Sequence, residues 1–250
     1  DVETLTYGIS GVTAVSGIAT LAGTYGTLTV NTSTGAYSYT KNSAAIEALD
    51  ATETGADNFT VTVTDGDGAL VTQTYTVNVS GADDAPTLAT ITAGSVAEND
   101  QSSSTTDAGL SGTLAGADVD VETLTYGISG VTAVSGVATL AGTYGTLTVN
   151  TATGAYNYTK NSAAVEALDA TETGTDSFTV TVTDGDGALV TRTYAVTVSG
   201  ADDAPTLGAV TSGSVTEIDQ SSSTTDVGLS GTLAGADVDV ETLTYGISGV

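Results

Sequence analysis

The stretch Asp-Val-Glu-Thr-Leu-Thr-Tyr-Gly-Ile-Ser-Gly-Val begins at Asp1, again at Asp120 and again at Asp239, a spacing of 119 residues each time. A chain that repeats itself at fixed spacing folds as a series of one structural unit. Between the two full periods about 16 positions differ, and the exchanges are mild: Ile18 for Val137, Ile46 for Val165, Gln73 for Arg192. A period of this length is the size of one independent domain. Near-identity argues against chemistry confined to one site, because whatever one copy carries the next carries too. The register, cut inside a unit at both ends, predicts an excerpt of a longer array, with any export or anchoring signal outside it.

Composition narrows what the unit is. The chain has no Cys, Met or Trp and only 2 Phe, so a core has to come from Val, Ile, Leu, Ala and Tyr. The β-branched and aromatic members of that set, with abundant Thr, favour a pleated surface. With 31 Gly, the sequence reads as all-β with many turns. Thirty acidic residues face three basic ones, a formal net charge of −27. No basic surface exists to neutralise phosphates, which excludes nucleic acid as a partner. Such self-repulsion opposes compaction unless counter-ions bind, so the sequence asks for cations. No apolar run is long enough for a membrane-spanning helix, and membrane insertion is not expected.

The motif Gly-Ala-Asp-Asp-Ala-Pro at 81–86 and 200–205 marks the boundaries. Proline holds the preceding residue extended and cannot donate within a central ladder, so a strand ending at Val79 or Val198 passes here into a short, stiff crossing. On this division residues 1–84 are a partial repeat lacking its leading strands. Residues 85–204 are a complete repeat, and 205–250 hold leading strands only. Period-two alternation puts Phe178, Val180 and Val182 on one face, and Asp184-Gly185-Asp186-Gly187 then signals a hairpin into Thr193–Val198. Upstream strands are expected at 144–149 and 155–158 about a turn at Asn150–Gly154, and earlier ones near 108–115, 122–128 and 131–140. One short helix is expected over 161–168, capped by Asn161 or Ser162. Seven to nine strands and one short helix per unit, repeated, describe a string of all-β sandwich domains.

Asp118-Val119-Asp120-Val121-Glu122 places carboxylates at alternate positions; in a strand they share a face at about 7 Å spacing. Like charges so arranged repel unless a cation sits among them, and hard oxygen ligands in irregular geometry select Ca²⁺. The run recurs at Asp237, Asp239 and Glu241, and its tail opens the chain as Asp1 and Glu3. Asp83 and Asp84 before Pro86, Glu98 and Asp100, and the Asp-Gly-Asp-Gly loops (Asp65 and Asp67, then Asp184 and Asp186) are further acidic groups for the same junction. The competing reading is structural: Asp-Gly is an ordinary turn dipeptide, and an acidic run keeps a surface solvated. Neither an EF-hand loop nor a glycine-rich nonapeptide repeat is present. With no His and no Cys, the usual general base and thiol nucleophile are missing, and no enzyme is expected. Lys160, like Lys41 before Asn42, is expected at a strand end beside an acidic partner, in preference to an intramolecular isopeptide crosslink.

The ordered motifs Tyr-Gly-Thr-Leu-Thr-Val-Asn, Gly-Ala-Tyr-Asn-Tyr-Thr, Ala-Val-Glu-Ala-Leu, Phe-Thr-Val-Thr-Val-Thr-Asp-Gly-Asp-Gly and Val-Ser-Gly-Ala-Asp-Asp-Ala-Pro, over 144–205 and again over 25–86, resemble the bacterial VCBS repeat. The resemblance implies Ig- or cadherin-like sandwiches in large secreted or cell-surface bacterial proteins of adhesion and biofilm. Its likeness to cadherins implies ion ligands at Asp118 and Asp120, at Glu98 or Glu217, and at Asp83-Asp84 or Asp202-Asp203. Here the linker carries Asp where Asn is usual, and the Ser/Thr-rich insert at 101–107 has no role assigned by the resemblance.

The expectation is therefore a non-enzymatic spacer whose repeats are its own neighbours and partners, stiffened by Ca²⁺ at each junction. A rival expectation is a subunit of an extracellular filament, since 204–250 carries the strands that 1–84 lacks and strand addition between chains would complete each. A glycan- or protein-binding face is disfavoured by the near-absence of Trp and Phe.

Overall fold

The computed structural model describes residues 3–249, so Asp1, one of the expected junction carboxylates, lies outside the described residues. Nearly all the regular structure is β, with two short helices, Ser43–Glu47 and Ser162–Val165. The chain gathers into two compact units. One consists of the chain through Leu88 with Gly116–Thr125 and Val182–Val190; the other holds Ala89–Ala115, Tyr126–Thr181 and everything from Thr191 onward.

The two sheets of a repeat are complete once. A five-stranded sheet runs in the order Thr125–Ile128, Thr173–Thr183, Leu189–Ser199, Gly94–Asn99, Ser102–Ala108, and a four-stranded sheet runs Ser111–Thr113, Ala155–Lys160, Gly145–Asn150, Val137–Ala141. The strands of the four-stranded sheet pair antiparallel. In the five-stranded sheet Leu189–Ser199 pairs parallel with Gly94–Asn99, placing Val198 opposite Val96. Around residues 3–80 the same sheets are three-stranded: Thr6–Ile9, Thr54–Thr64, Leu70–Ser80 in one, and Ile18–Ala22, Gly26–Asn31, Tyr37–Lys41 in the other.

Alternation in the sequence carries through to burial. Along Thr173–Thr183 the buried positions are Asp176, Phe178, Val180 and Val182, and the residues between them are exposed or half-buried. In the first unit Ile9, Ala19, Leu28, Val30 and Phe59 form the core. Each buried large apolar side chain of this kind contributes about 1.5–3 kcal/mol.

Three expectations need correction. The run 118–122 is not a strand: it is a bend, in which Asp118 Oδ1 accepts the Asp120 N–H at 2.9 Å and Val121 has φ +59°. Strands expected near 108–115 and 131–140 are shorter, Ser111–Thr113 and Val137–Ala141, because Gly109 (φ +65°) and the tight turn at Ser135-Gly136 (φ +51° and +79°) interrupt them. The helix stops at Val165, and its N-cap Asn161 makes no side-chain cap bond.

One inward-facing residue of strand Thr173–Thr183 is charged. Asp176, 4% exposed, accepts from the Thr143 N–H (2.7 Å), the Tyr144 N–H (3.0 Å) and the Tyr158 hydroxyl (2.7 Å). Asp57 repeats the same three bonds with Thr24, Tyr25 and Tyr39. The carboxylate thus clamps the turn that joins two strands of the opposite sheet, and a Cβ on Gly142 or Gly145 would collide with Asp176 or the Tyr158 ring. Desolvation, then the Asp57 hydrogen bond, pushes the Tyr39 hydroxyl up to about 12. Charge-assisted bonds contribute roughly 1.5–3 kcal/mol each, and an emptied buried site leaves its donors unpaired. Asp176→Ala is expected to lower stability by about 3 kcal/mol and Tyr158→Phe by about 1 kcal/mol, measured by urea denaturation. Equal, near-zero effects would remove the clamp from the account.

Candidate metal centres at the repeat junctions

The linker is placed by a short ladder. Thr87–Leu88, just after Pro86, pairs with Gly116–Ala117, just before Asp118, and Thr206–Leu207 pairs likewise with Gly235–Ala236. This pairing lays the linker acids against the bend. The Asp84 N–H donates to Asp120 Oδ2 at 2.7 Å, and the Asp203 N–H donates to Asp239 Oδ2 at the same distance. Adding 119 converts Asp84 and Asp120 into Asp203 and Asp239, so one joint is seen twice.

Each view holds a different part of that joint. In the first, ligand atoms of Asp83, Glu122 and Asp184 all lie within 4.8 Å of one another. Asp184 opens the Asp-Gly-Asp-Gly loop, whose fold it fixes by accepting from the Gly187 and Ala188 N–H groups at 2.7 and 2.8 Å, and Glu122 accepts from the Gly185 N–H at 2.9 Å. In the second, Glu98, Glu166 and Asp203 meet within the same 4.8 Å limit. Glu98, near the end of strand Gly94–Asn99, is 8% exposed and accepts from the Ala201 N–H at 3.1 Å.

The bonding within both clusters is incomplete. Among the described residues, the buried side-chain polar atoms without a hydrogen-bond partner are Glu98 Oε1, Asp118 Oδ2, Asp120 Oδ1, Glu166 Oε1, Asp184 Oδ2, Asp237 Oδ2 and Asp239 Oδ1. Every one is a carboxylate oxygen, and every one belongs to a junction. A buried polar atom left unpaired costs about 1–3 kcal/mol, more when charged.

Electrostatics agree with the geometry. Desolvation first, then the charges of Asp184, Asp186, Asp120 and Asp118, raises Asp83. Desolvation raises Glu98 against the bond from Ala201, aided by Glu166, Asp203 and Asp239. The Gly185 N–H holds Glu122 down, but desolvation with Asp186, Asp184 and Asp118 leaves it raised. Glu241 is raised by desolvation and then by Asp237, Asp202, Asp169 and Asp239. Among the described residues, Lys160 Nζ pairs with Asp107 at 2.8 Å and joins strand Ala155–Lys160 to Ser102–Ala108.

Of the residues singled out from the sequence, Asp83, Glu122 and Asp184 come together, with Asp118 and Asp120 forming the bend beside them. Glu98 and Asp203 come together near Asp239, with Asp237 in the equivalent bend. Asp84 is exposed and contributes its N–H; Asp186 and Asp202 are exposed and outside the closest clusters, though near enough to raise Asp83 and Glu241. Glu217, the counterpart of Glu98, is exposed on strand Ser214–Glu217 and joins no cluster among the described residues. Sequence reasoning misses Glu166, which reads there only as a helix residue; its being the one charged group in 162–168 is the available signal.

The profile of the bacterial cadherin-like domain matches residues 83–200, and that of the bacterial Ig domain matches residues 1–78. The chain is an all-β array of the cadherin-like, Ig-type sandwich fold. No curated protein matches it. Similar solved structures include protocadherin gamma B2 extracellular cadherin domains 3–6 (14% identity, 82% of this chain, 44% of that one, TM-score 0.32), the protocadherin gammaB4 extracellular domain (15%, 83%, 29%, 0.36) and the protocadherin gammaB7 EC3-6 cis-dimer (16%, 82%, 53%, 0.36). The chain spans about half or less of these chains. No helix among the described residues is long and apolar enough to cross a membrane.

The raised carboxylates set a pH dependence. Asp83, Glu98, Glu122 and Glu241 sit above their ordinary values, so their contribution to folding is full at low pH and is lost as pH rises through the elevated values. Asp57 and Asp107 are held below theirs, because hydrogen bonds outweigh desolvation, and lose their contribution only as pH falls further. In chelator, the melting temperature is expected to rise as pH is lowered from neutral toward the carboxylate range and to fall again in stronger acid. Calorimetry showing no rise between neutral and mildly acid solution would contradict the crowding.

Proposed function

We propose that the chain is part of a non-enzymatic stalk or spacer of a secreted or cell-surface bacterial protein serving adhesion or biofilm, with Ca²⁺ at each repeat junction. The domain division is that of the linkers: 1–84, 85–204 and 205–250. The observation that carries the reading is the set of buried carboxylate oxygens without donors, all of them at junctions. Their chemistry fits a hard cation with six to eight oxygen ligands.

In a full joint Glu98, Glu166, Asp203, Asp237 and Asp239 would hold the ion together with the counterparts of Asp184 and Glu122 in the following repeat. The bound ion supplies positive charge and a common centre for oxygens from the linker and both flanking domains. The chain's own bonds prepare the site: Asp237 Oδ1 accepts the Asp239 N–H at 3.1 Å, and Asp239 orients the linker through Asp203. Repetition then sets length and the joints set stiffness. The test is a calorimetric Ca²⁺ titration of the chain and of the double variant Asp120→Asn/Asp239→Asn. At least tenfold weaker binding is expected. Unchanged affinity, or no binding by the parent chain, contradicts the reading.

One observation favours a second reading, a filament subunit joined by strand addition. A groove of about 380 Å³ in the first unit is lined by Tyr7, Val30, Tyr37, Val61, Val71 and Tyr75, and Tyr37 is 61% exposed. The counterpart Tyr156 is 8% exposed, lying on a strand covered by Ser111–Thr113. Residues 230–232 repeat those three residues and are exposed. Sedimentation is expected to show concentration-dependent polymers that vanish when 206–250 are deleted. A monomer throughout would exclude it.

A further inference from the structure

We propose that Gln101 is an ion-independent latch on the outgoing linker, and that by fixing its path it positions Asp202 and Asp203 for the junction site. Gln101 sits in the two-residue loop between Gly94–Asn99 and Ser102–Ala108, with φ +55°. A side chain larger than Asn in that region is uncommon and costs about 1 kcal/mol or more. The Gln101 N–H and its Nε2 both donate to the Asp202 carbonyl, at 3.4 and 2.8 Å, and its Oε1 accepts from the Ala204 N–H at 3.1 Å.

The side-chain amide thus stands in for the peptide of a neighbouring strand. In an extended chain the carbonyl of residue i and the N–H of residue i+2 point the same way, and the N–H groups of the intervening residues point the other way. The linker follows this rule. Asp202 O and Ala204 N face Gln101, whereas Ala201 N and Asp203 N face the junction and are taken by Glu98 and Asp239. One edge of the linker is held by carboxylates whose state depends on cations and protons. The other is held by a neutral amide whose bonds depend on neither. Gln220 has the same backbone conformation, φ +56°, at the equivalent place in the next copy. The Ser/Thr-rich insert acquires a purpose from this: its first residue is the latch.

The latch stands on these bonds alone, and the positioning role rests in addition on the Ca²⁺ reading. The test is amide hydrogen exchange by NMR on the 250-residue chain in chelator. The Ala85 amide serves as an internal control, because this chain holds no counterpart of Gln101 for the first linker. In the parent chain the Ala204 amide is expected to be protected roughly tenfold more than that of Ala85, the worth of one net hydrogen bond. Gln101→Ala is expected to abolish that difference while the Ala201 amide stays protected, which shows that the fold survives. Gln101→Glu keeps the acceptor and loses the Nε2 donor, so partial protection is expected. Ala204 exchanging as fast as Ala85 in the parent, or unaffected by Gln101→Ala, overturns the latch. In Ca²⁺ titrations Gln101→Ala is expected to weaken the second junction about tenfold and leave the first unchanged. Loss of the amide protection with unchanged affinity overturns the positioning role. Absence of Ca²⁺ binding by the parent chain would sink the function proposed above and leave the exchange result standing.

Discussion

Like charges forced together at the joints are the constraint to which the rest of the structure answers. The linker cannot leave its domain without carrying two aspartates past the bend of the next copy. The ladder of Thr87–Leu88 on Gly116–Ala117 lays those acids beside Asp118 and Asp120. The backbone meets this crowding in part by donating N–H groups to the inner oxygens, as Asp84 does to Asp120 and Ala201 to Glu98. The outer oxygens remain without donors. On the proposed reading, a chain of net charge −27 that buries carboxylates in this way places part of its folding free energy under the control of cations.

The interior uses the same residue type to the opposite end. Asp57 and Asp176 are buried and fully bonded, each holding two backbone N–H groups and a tyrosine hydroxyl. Those carboxylates tie one sheet to a turn of the other and need no ion. The domains therefore hold their own shape through neutral and charge-assisted bonds that need no ion. Gln101 extends this division into the linker, one edge of which is held by an amide.

Much of the sandwich is legible in the sequence because strand alternation leaves a plain trace. Phe178, Val180 and Val182 share a parity, and Asp176 shares it too, so alternation alone assigns that carboxylate to the inward face. The same pattern misleads at Asp118–Glu122. Asp-Val-Asp-Val-Glu alternates as a strand does, yet it bends, with Val121 left-handed and both valines exposed. A β-branched residue at positive φ is rare enough that no local rule anticipates it. The acids brought together across the junction are legible as a set, since repetition and net charge point to them. Their partners are not: Glu166 reaches the site through the packing of a single helical turn, and Gln101 through a loop whose sequence looks like filler.

Small-angle scattering of the chain with saturating Ca²⁺ and with chelator tests the central claim most directly. The account predicts a larger, narrowly defined maximum dimension with Ca²⁺ and a smaller radius of gyration with a broader distance distribution in chelator. Superimposable profiles in the two conditions would contradict it.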